Sequence, residues 1–291
     1  MIALPAIVVV GLVLALGAGG SAEEGAAPTS SAVRADRFDS ARAFRHLRYQ
    51  VGLGPRPAGS PQLATLAAYL RKRLPRGHYQ SVPGHPGLRN VVGRIPGRKP
   101  AVVVAAHYDT KDIPGFVGAN DGAGGTAAVL ELSRALRKVK RPKGAPEIRF
   151  VFFDGEEATD DSKPFLESGV RGSRSYAARH EEEVRALVLL DFVAEKGAMR
   201  IPYEPGSDRR LWDRLRAAAQ RAGSGEAFPD AESGEVQDDH TPFARRGIPA
   251  IDLIDFTFPC WHKTCDDISA VSERSLDLSG EAVLELLRSW R

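Results

Sequence analysis

Three stretches of the chain are apolar almost without interruption: AVVVAAH at 101–107, FVFF at 150–153 and ALVLL at 186–190. A strand that is apolar on both faces suits a sheet covered on both sides. RNVVGRI and IPAIDLIDF read as further strands. Between them the apolar positions recur at helical spacing. SPQLATLAAYLRKRL opens with Ser60 as a cap and Pro61 in the first turn, and SERSLDLSGEAVLELLRSW opens with Ser272. DRFDSARAFRHLRYQV, GAGGTAAVLELSRALRKV, GSRSYAARHEEEV and DRRLWDRLRAAAQRAG read as the other helices. Strands alternating with helices predict an α/β domain with a largely parallel, buried sheet, and no internal repeat interrupts the pattern.

The first 22 residues, MIALPAIVVVGLVLALGAGGSA, carry no charge and differ from everything after them. They read as a secretory signal, with Ala22 at a cleavage site, or as a membrane anchor through residues 2–22. Residues 23–37 are small and polar and read as a disordered linker. Residues 38–291 then form one catalytic domain. The expected setting is outside the cytoplasm, secreted or in the cell envelope. The chain has 291 residues with 43% hydrophobic and 26% charged, an ordinary globular composition. A formal net charge of +3, with arginines scattered along the chain, gives no footprint for nucleic acid.

Chemistry enters where strands end. His107 and Asp109, Asp121, Glu156 and Glu157, Asp191, the trio Asp238, Asp239 and His240, and His262 are each read as lying just past a strand. Ligands of open α/β sheets bind outside the carboxyl ends of the strands. Several carboxylates in one cleft repel unless a cation or protons compensate them, and mixed His and Asp/Glu donors suit Zn²⁺. Asp109, two residues after His107, is read either as a second ligand or as the carboxylate that orients the imidazole. Of the neighbours Glu156 and Glu157, one can bind metal while the other serves as acid/base. Taken singly, an Asp before a helix is more often a cap, and a Glu pair more often a solvated one. The joint pattern outweighs these readings. The two cysteines, Cys260 and Cys265, flank His262 and read as a disulfide stiffening its turn, or alternatively as metal ligands beside it.

AHYDTKDIPGFVGANDGAGGTAAVLELSRAL, FVFFDGEEA, GSRSYA, LLDF, DDHTPFARRGIPAIDLI and WHKTCDD occur in this order across residues 38–290. Together they resemble the zinc-dependent clan that contains glutaminyl-peptide cyclotransferases and aminopeptidases, and they are more similar to the glutaminyl cyclase branch. The resemblance implies a three-layer zinc-exopeptidase-like fold, with a mixed, mostly parallel central sheet flanked by helices. It implies that Asp121, Glu157 and His262 hold one Zn²⁺, that His107 and Asp191 with a bridging Asp121 hold a second in the aminopeptidases, and that Glu156 is the acid/base. It also implies that Asp109 stands behind His107, that Asp191 and Asp238 belong to the catalytic network, and that Trp261 and Phe258 line the substrate pocket. Two positions depart from the animal cyclases: Asp252 stands in place of a histidine, and the segment after Glu157 lacks a tryptophan. Three functions stay open at this point: glutaminyl cyclisation of peptide N-termini with one zinc, aminopeptidase hydrolysis with two, and a binding module without activity. Oligomeric state is not legible.

Overall fold

A computed structural model describes residues 37–290, so the expected signal or anchor at 1–22 and the linker, apart from Arg37, lie outside the described residues. The sheet is organised around β3 (Arg98–His107), whose last seven residues are all buried. Val102, Val104 and Ala106 join the core on one face, while Val103 and Ala105 join the core on the other. This period-two alternation between two covered faces is why the strand is apolar at every position from Ala101 to Ala106. β4 (Pro146–Phe153) and β5 (Val184–Leu190) flank β3 and run parallel to it. β6 (Ala250–Leu253) extends the parallel half beyond β5. On the other side β2 (Arg89–Ile95) runs antiparallel to β4, and β1 (His78–Ser81) antiparallel to β2. The order is β1-β2-β4-β3-β5-β6.

The larger core is covered by α1 (Ser40–Val51), α2 (Pro61–Arg73), α3 (Ala123–Ala135), α6 (Arg209–Ala222) and α8 (Glu273–Arg288). The opposite face is covered by α5 (Arg171–Arg179) and the short α7 (Thr241–Ala244), while the one-turn α4 (Phe165–Ser168) lies between β4 and α5 in the chain. The expected caps are present: Ser60 accepts from Leu63 N at 3.1 Å and Ser272 from Ser275 N at 3.2 Å. Asp39 and Asp208 do the same for α1 and α6, at 2.8 and 2.7 Å. Among the described residues no helix is long and apolar enough to cross a membrane.

The glycines that open α3 explain how closely it approaches the sheet. A Cβ on Gly125 would lie 2.0 Å from Leu190 O, at the end of β5. That approach sets the start of α3 against the carboxyl ends of β3 and β5, where the candidate residues gather. Two differences from the sequence reading matter. β1 was not anticipated, because it is four residues long with only one of them buried. Asp238, Asp239 and His240 do not directly follow a strand: they precede α7, and α6 lies between them and β5 in the chain.

Candidate metal centre

β3 delivers His107 as its last residue, and the imidazole is 2% exposed. Its Nε2 lies 3.1 Å from Asp191 Oδ1 and 3.3 Å from Asp121 Oδ1. Asp191 follows directly on β5. Asp121 comes from the loop before α3, where Gly122, at φ +86°, precedes the helix without any side-chain cap. Asp121 is therefore not spent as a helix cap. Its loop is held from below by Asp266, whose two carboxylate oxygens accept from the backbone N–H groups of Asn120 at 2.7 Å and Asp121 at 3.0 Å. Arg56, wholly buried, donates to the carbonyls of Val117 and Gly118 in the same loop. Neither Asp266 nor Arg56 was singled out from sequence.

Beyond β4 the chain turns at Gly155 with φ +73°, a conformation that glycine adopts without steric cost. The turn separates three carboxylates that are neighbours in sequence. Asp154 points toward β2, accepting from Arg89 N at 2.8 Å and the Tyr108 hydroxyl at 3.0 Å. Glu157 Oε2 lies 3.3 Å from His262 Nε2, which is itself 3.7 Å from Asp121 Oδ2. Glu156 Oε2 faces His107 Nδ1 at 3.9 Å. Asp109, the residue read as the partner of His107, lies 3.7 Å from that Nδ1 and accepts from the backbone N–H groups of Glu156 and Glu157.

His262 sits in the turn closed by the Cys260–Cys265 disulfide, with φ +52°. Both thiols are used in that bond, so the alternative reading of the cysteines as metal ligands is set aside. The Trp261 ring stacks on His262 at 4.6 Å and is 44% exposed.

Two groups of donors result: His107, Asp121 and Asp191, and then Asp121, Glu157 and His262, with Asp121 common to both. Within each group the donor atoms lie within 4.8 Å of one another. The electrostatics call for a cation. Burial, then the charge of Asp121, pushes Glu157 up to about 7, and burial drives Glu156 and Asp191 well above the ordinary carboxylate range. Burial would pull His107 and His262 down, but their carboxylate neighbours outweigh it and raise both. The two lysines that line the site are turned to other partners, Lys111 to Asp161 and the Ala158 carbonyl, Lys163 to Asp160. Buried Glu157 Oε1 and His107 Nδ1 have no hydrogen-bond partner. Arg56, beneath the loop, feels the charges of Asp266, Asp121 and Asp109, but its guanidinium donates to backbone carbonyls, and the carboxylate and imidazole donors converging above it fit a divalent metal.

A third group, Asp238, His240 and Asp252, lies deeper and is almost wholly buried. His240 Nε2 meets Glu204 Oε2 at 3.3 Å and its Nδ1 faces Asp252 Oδ2 at 3.7 Å. Asp238 also reaches the cavity above the metal residues, a space of about 540 Å³. Phe192, Ile254, Phe256 and Trp261 form its apolar wall. Phe258, expected on that wall, is 5% exposed and packs behind it against Phe192, with ring centroids 6.0 Å apart. Phe256 occupies the lining instead, 4.9 Å from Trp261. The segment after Glu157 contributes Phe165 to the lining.

Residues 90–287 match the family model described as Peptidase family M28. A bovine (Bos taurus) glutaminyl-peptide cyclotransferase is 32% identical over 233 residues, covering 67% of this chain and 62% of its own length. The chain thus spans less than two thirds of that relative. Among solved structures, an Acidobacteriales bacterium glutaminyl cyclase superposes with a TM-score of 0.76 at 30% identity, over 92% of this chain and 98% of its own. A leucine aminopeptidase precursor from Bacteroides thetaiotaomicron superposes with a TM-score of 0.78 at 25% identity, over 89% and 100%.

Proposed function

The chain belongs to peptidase family M28, and on that footing we propose that it acts on the amino termini of peptides, cyclising N-terminal glutamine to pyroglutamate with release of ammonia. The observation that carries the chemistry is Glu156. Among the described residues it is the one buried carboxylate of the cavity that belongs to none of the three donor groups, so it is free to move a proton. Zinc held by Asp121, Glu157 and His262 would supply Lewis-acid polarisation of the reacting carbonyl.

The remaining work falls to the chain. The apolar wall of Phe192, Phe256 and Trp261 receives the glutamine side chain and limits water. Glu156 accepts a proton from the substrate α-amine as that nitrogen attacks the side-chain amide carbon. The ring C–N bond forms and the bond to the amide nitrogen breaks. Glu156 returns the proton to the departing nitrogen, which leaves as ammonia, and no water is consumed. Asp191 and Asp238, on the same cavity, orient the reacting amide by hydrogen bonding.

The bovine and Acidobacteriales relatives, both named as cyclases, support this choice. The group His107, Asp121 and Asp191 favours a second reading, in which two zinc ions serve an aminopeptidase that hydrolyses the first peptide bond. The test is to supply the purified chain with zinc and offer Gln-peptides and, separately, Leu- and Ala-linked chromogenic amides. Ammonia release with about one zinc per chain supports the cyclase, and amine release with two supports the aminopeptidase. An exported location fits residues 1–22 and the disulfide, since such bonds persist in oxidising compartments.

A further inference from the structure

A second cavity, of about 560 Å³, opens on the antiparallel edge of the sheet and shares no residue with the metal centre. Its floor is Arg149, which lies four residues before the end of β4, roughly 13 Å of strand from the turn that carries Glu156. Arg76, Arg94, Lys99 and Arg179 converge on it from segments that are far apart in sequence, and Glu183 is the one carboxylate in the lining. Arginines that look scattered along the chain are therefore gathered in one hollow by the fold.

The local charge does not balance. Glu183 pairs with Arg149 and, at 3.5 Å, with Lys99. Behind the lining, Glu147 pairs with Arg149 at 2.7 Å and Arg94 at 3.6 Å. Five cations face these two carboxylates, a surplus of three, and among the described residues Arg76 and Arg179 have no ion pair. The surplus is felt by His180 in the same lining, whose pKa is lowered first by burial and then by Arg149. A second, independent feature points the same way. Tyr176, 1% exposed, lines the cavity, and its hydroxyl proton has no acceptor. Burial pushes that phenol up to about 12, so it remains a donor at neutral pH. A buried donor without an acceptor is costly, and it is satisfied by an acceptor brought from outside.

We propose that this hollow, framed by Arg76, Arg94, Lys99, Arg149 and Arg179 with the Tyr176 hydroxyl at its wall, binds a small compound carrying two or more phosphate groups. Guanidinium groups match phosphate oxygens in pairs, and several converging ones select a multiply charged anion over a single charge. The volume lies in the range of small-molecule sites, and the concave shape favours a compact ligand over a macromolecule.

The test uses the zinc-loaded full chain and calorimetric titration with pyrophosphate and, separately, inorganic phosphate. Pyrophosphate should bind more than about tenfold tighter than phosphate. The paired substitution Arg76→Asn and Arg179→Gln should weaken pyrophosphate by about tenfold per guanidinium removed. Its melting temperature and turnover should stay unchanged. Tyr176→Phe, which keeps the ring, should weaken binding without altering the fold, and Glu156→Gln should bind like wild type. No heat with wild-type protein overturns the proposal. Binding that survives the paired substitution also overturns it, and would mark pyrophosphate as held by the metal residues instead.

Discussion

Asp109 accepts hydrogen bonds from the backbone N–H groups of both Glu156, at 3.2 Å, and Glu157, at 3.3 Å. One buried carboxylate thus fixes the turn that sends a candidate ligand one way and the candidate acid/base the other. Its distance to His107 Nδ1, 3.7 Å, makes the imidazole its secondary neighbour. Asp109→Asn keeps the volume but replaces one accepting oxygen by a donor, which cannot receive an N–H. Activity and metal affinity should fall by about 10–100-fold, the usual cost of losing support behind a metal shell. Steady-state kinetics and competition with a chelator measure the two losses. Unchanged values for both would show that the turn holds without Asp109.

Glu156 and Glu157 should separate cleanly. Glu156→Gln removes a proton acceptor and leaves the donor groups whole, so bound zinc should be retained while kcat falls by about 10²–10⁴-fold. Glu157→Gln should instead lose zinc on dialysis. Equal turnover in wild type and Glu156→Gln would leave only a binding role for the site.

Metal removal should reveal the raised carboxylates through pH. Glu157 has an ordinary value of 4.5 and is pushed to about 7 in the folded, metal-free chain by burial and by Asp121. Between those values the folded state holds more protons than the unfolded one, so the group's contribution to stability falls as pH rises through this window. Bound zinc replaces those protons. The gap in melting temperature between zinc-loaded and zinc-free protein should therefore widen from pH 5 to pH 7. A gap that is constant or narrows contradicts the assignment.

The disulfide should matter more to the site than to the whole molecule. It closes a loop with a sequence separation of 5, and a loop that short contributes about 2 kcal/mol to stability. Replacing Cys260 and Cys265 together by Ser should lower the melting temperature by only a few degrees. Zinc affinity should drop more noticeably, because His262 then keeps its left-handed backbone without the bridge. Equilibrium zinc titration beside thermal unfolding distinguishes the two effects.

The two phenylalanines near the cavity should behave oppositely. Phe256→Ala removes a wall residue that is 44% exposed, so KM should rise with folding intact. Phe258→Ala empties a packed position and should cost about 3–5 kcal/mol of stability. Peptide kinetics and urea denaturation separate the outcomes, and a reversed pattern would restore Phe258 to the wall.

The apolar runs of β3, β4 and β5 were legible because both faces of those strands are covered, which leaves no room for polar positions. The residues that converge at the metal centre were legible for a related reason: charge at the end of such a run has few bland explanations. β1 left no such mark, since an edge strand with one buried residue obeys no strict pattern. Phe256 and Phe258 could not be told apart, because they lie beyond β6 in a turn where alternation no longer reports direction. Asp266 and Arg56 act through backbone groups of the loop before α3, contacts that no spacing announces. The basic cavity was hidden for a similar reason. Its members come from β1 to β4 and the end of α5, and only the order of the strands brings them together.

The donor groups draw on residues 107, 121, 157, 191 and 262, each from a different segment. Chain growth delivers them in that order, so His262 is the last to emerge during synthesis. An ion captured by the complete Asp121, Glu157 and His262 group can arrive only after the sheet from β3 to β6 has been made. Capture by this group would thus come late in synthesis, with only α8 among the core helices still to be made, whereas the group His107, Asp121 and Asp191 is already complete when β5 ends.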